Sequence, residues 1–282
     1  MLCTMLTRSA SHRLWMLALG ACSMFALAAQ VPSGPVASPP AKTAPPSATA
    51  PDQAQSKPPT AENPVPRAEG WWLNRHNNLI LNRKPESTHM LFIGDSITQG
   101  WEQAGASIWE RRYAPRGALN MGFSGDRTQH VLWRLKHNEV EGLHPKLAVV
   151  MIGTNNSNGE DNTAEEIADG IKAIVASLTE KLPDTKVLLL AIFPRGETPN
   201  AQREKVAKAS ELASKVADGK TVYYLDIGSK LMNTDGTISK EIMPDFLHLS
   251  PKGYEIWADA IEDKVKELTG EVAAGGAPAQ PR

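Results

Sequence analysis

The chain has 282 residues, a formal net charge of -1, 22% charged residues and 41% hydrophobic ones. That balance excludes a protein that grips nucleic acid with a basic surface, because no block of Lys and Arg is set against phosphate charge. Both cysteines, Cys3 and Cys22, lie at the extreme N-terminus, which excludes a disulfide framework or thiolate metal site for everything after them.

In chain order, residues 1–29 read as a secretory signal. Arg8 and Arg13 precede an apolar stretch from Leu14 to Ala29, and Ala26-Leu27-Ala28 is a small-x-small cleavage pattern. Leu19-Gly20-Ala21-Cys22 gives a second reading, a lipoprotein signal with Cys22 as an N-terminal lipid anchor. Either reading predicts a secreted, periplasmic or cell-envelope protein. Residues 30–68 read as a disordered linker: eleven of the 21 prolines fall there among Ala, Ser and Thr. Such a stretch has too little apolar surface to fold, and its prolines favour an extended chain. One domain is left over 69–269, followed by a small, polar tail over 270–282.

Within the domain, five short apolar runs occur: Met90–Ile93, Ala118–Met121, Leu147–Ile152, Val187–Ile192 and Val222–Leu225. They do not alternate with polar residues, so they predict strands covered on both faces, hence a parallel sheet. Helical patterns lie between and after them. Thr163 to Leu182 carries Ile167, Ile171, Ile174, Val175 and Leu178 on one face, with Thr163 and Glu166 spaced as a capping box. Ala201 to Ala217 presents Val206, Ala209, Leu212 and Val216. The last helix opens at Ser250-Pro251, a cap followed by proline in the first turn, and its stripe is Tyr254, Trp257, Ile261, Val265 and Leu268. This alternation predicts an α/β fold, a three-layer α/β/α sandwich around a central five-stranded parallel sheet.

Sites on open parallel sheets form beyond the carboxyl ends of the strands. After the first run comes Gly94-Asp95-Ser96-Ile97-Thr98, where Ser96 is either a nucleophile exposed at a strand-to-helix turn or a helix cap. After the second comes Gly122-Phe123-Ser124-Gly125-Asp126, in which Gly122 either offers an N–H to a ligand oxygen or ends a strand. After the third, Asn155 is either an amide donor to a developing oxyanion or part of an Asn-rich turn. Before the last helix, Asp245 and His248 stand three residues apart in one loop, a spacing that lets the carboxylate orient the imidazole and the imidazole take a serine proton. No metal-ligand spacing is present, and no cofactor is implied.

At these residues the chain resembles the GDSL/SGNH hydrolase family, through Ile93-Gly94-Asp95-Ser96, Gly122, Gly153-Thr154-Asn155 and Asp245-Phe246-Leu247-His248. Gly125–Leu135, Phe193-Pro194-Arg195-Gly196 and Asp235–Ser239 are similar to its intracellular type I platelet-activating factor acetylhydrolase catalytic-subunit branch. The resemblance implies a flavodoxin-like fold and a serine esterase. It implies Ser96 as nucleophile, His248 as base, Asp245 as its partner, and an oxyanion hole of the Ser96 and Gly122 N–H groups with the Asn155 amide. It also allows a homodimer. Short rim loops lead us to expect a small acyl pocket that favours acetyl esters of a glycan or lipid, lined by Phe193, Pro194 and Arg195 as substrate-binding residues. An O-deacetylase of an extracellular polysaccharide, or a non-catalytic carbohydrate-binding module on the same fold, are the alternatives.

Overall fold

The computed structural model describes residues 61–271. The expected signal, Cys22, most of the linker and nearly all of the tail lie outside the described residues. Five strands form one sheet: β1 (Met90–Gly94), β2 (Ala118–Gly122), β3 (Leu147–Met151), β4 (Lys186–Leu190) and β5 (Val222–Leu225). All pairings are parallel, in the order β2-β1-β3-β4-β5. Seven α-helices accompany them among the described residues: α1 (Gly70–Asn82), α2 (Ser96–Gln99), α3 (Ala106–Arg112), α4 (Thr128–Lys136), α5 (Ala164–Lys181), α6 (Ala201–Ala213) and α7 (Pro251–Thr269). The expected three-layer α/β/α architecture is the one that forms.

The sheet explains why its strands are continuously apolar. Successive side chains point to opposite faces, and here both faces carry a core. Leu91 and Ile93 of β1 join Val131, Ile171, Ile174 and Val206 from α4, α5 and α6. Met90 and Phe92 join Ile97, Ile108, Trp257 and Ile261 from α2, α3 and α7. Phe92, Trp101, Tyr113 and Trp257 form an aromatic cluster on this second face, with ring centroids 4.7 to 6.4 Å apart among the contacting pairs.

Local capping sets the helix starts. Glu166 N–H donates to Thr163 Oγ1 (3.2 Å) while the Glu166 carboxylate accepts from Thr163 N–H (3.1 Å), the capping box expected there. Ser250 Oγ accepts from Gly253 N–H at 3.2 Å, and Pro251 occupies the first helical position of α7. Helix α6 stops at Ala213, earlier than the apolar spacing suggests, and residues 214–216 tighten into a 3-10 turn.

Two features were not anticipated. Helix α1 buries Trp72 and His76, one turn apart, against Phe123 and the α4 residues His130 and Trp133. The end of the expected linker is also packed. Ala61 is buried and its carbonyl accepts from Thr128 Oγ1 at 2.6 Å, while Val65 N–H donates to Gln129 O at 3.3 Å. Main-chain pairing of this kind leaves no compositional trace, so a proline-rich stretch reads as linker up to Ala68.

In this strand order the chain leaves β1 for β2 on one side and returns to β3 on the other. The carboxyl ends of β1 and β3 therefore flank the crevice where doubly wound sheets place ligands.

Candidate active site

Ser96 sits where β1 passes into α2. The turn is tight: a Cβ on Gly94 would lie 2.3 Å from Met151 O, so only glycine lets β1 end this close to β3. Asp95 caps the short helix, its Oδ1 accepting from Ile97 N–H at 3.0 Å. The carboxyl is fully buried, and Oδ2 has no partner among the described residues. Burial pushes it up to about 7, against the pull of the Ile97 N–H and with a push from the Asp126 charge. Tyr254 of α7 donates its hydroxyl to Ile97 O at 2.6 Å, tying α7 to the turn that carries Ser96.

Asp245 and His248 occupy the turn before α7. Asp245 Oδ1 accepts from Leu247 N–H (3.1 Å) and His248 N–H (2.7 Å). Between them Phe246 adopts φ of +58°, a left-handed conformation uncommon for a non-glycine residue, which folds Asp245 back beside the His248 ring. Partial burial raises the Asp245 carboxyl, but hydrogen bonds from the His248 ring and from the His248 and Leu247 N–H groups outweigh it and hold the group below its ordinary range. An ionised carboxylate only accepts, so the 2.7 Å contact between Asp245 Oδ2 and His248 Nδ1 places the ring proton on Nδ1. Nε2 is then bare, and it lies 2.9 Å from Ser96 Oγ. Ser96 and the Asp245–His248 loop, 152 positions apart at the serine and the histidine, thus form one hydrogen-bonded chain, able to move the serine proton onto the imidazole.

The expected oxyanion donors are only partly so arranged. The Ser96 N–H opens α2 and has no protein partner among the described residues. Asn155 begins a 3-10 turn after β3, and its Nδ2 donates to Asp126 O at 2.9 Å, leaving the second amide hydrogen free. Gly122 is different. Its N–H donates to Asn120 Oδ1 at 2.9 Å, and a Cβ there would lie 2.1 Å from Gln99 N. Gly122 therefore serves the close approach of α2 to β2, and its N–H is already used. Three residues on, Gly125 has φ of +77° and an N–H without a protein partner among the described residues.

The expected substrate-binding residues also need correction. Phe193 is 1% exposed and packs edge-on against Trp257, with centroids 4.9 Å apart. It belongs to the core on the face of Leu188 and Leu190, because the alternation of β4 breaks after the strand: Ile192 joins Val187 and Leu189 on the other face. Pro194 lines a separate cavity of about 260 Å³ with Arg203, Asp226 and Met232. Arg195 donates to Thr154 O (3.2 Å) and Thr154 Oγ1 (3.1 Å), bracing the turn that carries Asn155. The cavity that contains Ser96 and His248 measures about 390 Å³, and its wall includes Gln99, Gln103, Ser124 and Tyr254, none of which was singled out from the sequence as a substrate contact. A larger recess of about 460 Å³ runs along α1 and includes neither Ser96 nor His248.

Residues 92–256 match the profile of the GDSL-like Lipase/Acylhydrolase family. The chain is 42% identical over 202 residues to platelet-activating factor acetylhydrolase IB subunit alpha2 of Rattus norvegicus, covering 71% of this chain and 86% of that protein. It is 38% identical over 223 residues to subunit alpha1 of the Homo sapiens enzyme, covering 77% and 94%. Among solved structures, a GDSL-like lipase from Bacteroides thetaiotaomicron superposes with a TM-score of 0.58 at 19% identity, over 69% of this chain and 97% of that one, a likeness of fold. The relatives overturn the expected secreted or cell-envelope location, since the acetylhydrolase subunits are intracellular enzymes. That expectation rested on residues 1–29, which lie outside the described residues. By profile, by identity along most of the curated relatives' length and by fold, the chain belongs to the GDSL-like lipase/acylhydrolase family and is an ester hydrolase.

Proposed function

We propose that this chain is a serine esterase that cleaves short-chain, chiefly acetyl, esters through Ser96, His248 and Asp245. The observation that carries the reading is the continuous chain from Ser96 Oγ to His248 Nε2 (2.9 Å) and from His248 Nδ1 to Asp245 Oδ2 (2.7 Å). Ser96 Oγ attacks the ester carbonyl as His248 Nε2 takes its proton. The carbonyl oxygen, now negative, is met by the Ser96 N–H, the free hydrogen of the Asn155 amide and the Gly125 N–H, which takes the place first given to Gly122. His248 then protonates the departing alcohol. Water repeats the sequence on the acyl-enzyme, and the carboxylic acid leaves. Asp245 keeps the proton on Nδ1 and stabilises the imidazolium that forms.

A small acyl group fits the modest cavity, and the relatives named as acetylhydrolase subunits support acetyl. The polar wall formed by Gln99, Gln103 and Ser124 favours a second reading, an O-deacetylase of an acetylated glycan rather than of a lipid. Hydrolysis of p-nitrophenyl acetate by the full chain, beside Ser96→Ala and a series from butyrate to palmitate, tests the proposal. We expect turnover to be lost in Ser96→Ala and to decline with acyl length. Equal slow rates in both proteins would point to a carbohydrate-binding module instead, and a preference for palmitate would overturn the acetyl assignment.

A further inference from the structure

The family profile begins at residue 92, yet the loop beside the nucleophile, whose Phe123 and Ser124 N–H groups donate to Gly94 O (3.1 Å) and Gln99 Oε1 (2.7 Å), is also held from before it. Arg67 Nη1 donates to Ser124 O at 2.6 Å, Arg75 Nε to Gly122 O at 2.9 Å, and Trp72 Nε1 to Asp126 Oδ1 at 2.6 Å. The Arg67 guanidinium lies so close over Gly125 that a Cβ there would come within 2.6 Å of Nη1. From the inner side, buried Arg134 donates through Nε to Asp126 Oδ2 at 2.9 Å. The main chain of Asp126 faces the other way, its carbonyl accepting from Asn155 Nδ2 at 2.9 Å.

Resting on the esterase reading above, we propose that Arg67, Trp72 and Arg75 are positioning residues for the oxyanion hole. They clamp the Gly122–Asp126 loop so that the Gly125 N–H, and the Asn155 amide through the Asp126 carbonyl, are aimed before substrate arrives. Oxyanion donors are effective only when their directions are set in advance, and a displacement of about 1 Å can cost on the order of a hundredfold in rate. A glycine-containing surface loop does not hold such a direction by itself. Arg75 also stacks over Phe123 of the same loop at 5.1 Å, Arg67 stacks over Trp71 at 5.3 Å, and Arg67 Nη1 lies 3.9 Å from Asp126 Oδ1. Their ion pairs with Glu69 and Glu102 are near the surface, where such pairs are weakly stabilising. Their bonds to the loop carbonyls and their contacts with Phe123 and Asp126 are directed at the same loop.

The test uses the full chain carrying Arg67→Ala and Arg75→Ala together. Two quantities are read: kcat and KM on p-nitrophenyl acetate, and amide hydrogen exchange across residues 122–126. We expect kcat to fall about tenfold with KM within about twofold, the signature of a loss confined to the transition state. In an Asn155→Ala background the same pair should cost only about threefold, because part of its effect passes through that amide. Exchange should quicken in residues 122–126 and stay unchanged in the strands. Trp72→Phe, which keeps an aromatic ring but removes the N–H donor, supplies a second variant should the first fold poorly, and we expect the same split. Unchanged exchange, or faster exchange with wild-type kcat, would overturn the proposal, as would an equal fall in both backgrounds. Turnover that survives Ser96→Ala would instead sink the esterase reading and with it the catalytic meaning of the clamp, and the exchange data would then report the mechanical hold alone.

Discussion

At the scale of single residues, hydrogen bonding is what turns the loop before α7 into a fixed arrangement of Asp245 and His248. Asp245 is exposed enough to stay ionised, yet three hydrogen bonds from Leu247 and His248 hold it in one orientation. The backbone cost of the left-handed Phe246 is offset locally by that turn. Asn155 should be the most informative single change. Losing one prearranged oxyanion donor lowers kcat by roughly 10²–10³, so Asn155→Ala should retain near-normal KM on p-nitrophenyl acetate while kcat drops by that factor. A raised KM with normal kcat would mean that Asn155 binds the ground state only. Among individual residues, the positions of chemistry-bearing types near strand ends were legible from the sequence: Ser96 follows β1, Asn155 follows β3, and Asp245 and His248 precede α7. The surroundings of Gly122 and Phe193 were not. Whether a backbone N–H is already used, and whether a side chain beyond a strand points up or down, depends on neighbours tens of residues away.

Among the secondary-structure elements, the helix starts matter because they deliver the loops. Helix α7 begins three residues after His248, and Ser250 fixes that junction twice. Its Oγ accepts from Gly253 N–H at 3.2 Å and donates to Glu241 O at 2.5 Å. Ser250→Ala removes the cap, and we expect the urea midpoint to report a loss of about 1 kcal/mol. A change within error would mean that Pro251 and the Tyr254–Ile97 bond set the start of α7 without the serine. Strong periodicity made α5, α6 and α7 legible, because their buried faces carry Ile, Val, Leu and Trp at helical spacing. Helix α1 escaped because its buried face is Trp72 and His76, a mixed pair whose partners are the Asp126 carboxylate and the His137 carbonyl rather than an apolar stripe.

Across the whole molecule, the buried charges show what the fold holds against solvation. Arg134, Asp126 and Glu139 are all buried, with Arg134 bridging the two carboxylates. Burial pushes Asp126 up to about 6, which leaves it ionised beside Arg134 at neutral pH. Breaking such a network by removing one partner costs more than the network is worth as a whole. Asp95 has no such partner, and its behaviour yields a thermal prediction. Its folded pKa, about 7, lies above the unfolded value near 4, so the folded state binds the extra proton. The stability it contributes is present below about pH 4 and lost as pH rises through about 7. Asp95→Asn keeps the acceptor for the Ile97 N–H and removes the titration. The Tm difference between the variant and the natural chain should therefore move in the variant's favour between about pH 4 and 7 and then level off. A pH-independent difference would show that Asp95 does not titrate there.

The sequence by itself determined the layered α/β class, the five strands and the types of residue available for chemistry. Those depend on local periodicity, on caps within three or four residues and on which functional groups follow each strand. Tertiary structure decided the rest. The strand order placed the ends of β1 and β3 on either side of one crevice, and the α7 junction swung His248 to within 2.9 Å of a serine 152 positions earlier. Packing also made Phe193 a core residue and brought Arg67, Trp72 and Arg75 onto the Gly122–Asp126 loop. Each of these is a contact between segments far apart in sequence, set by how two buried faces share one sheet, and no local pattern carries that information.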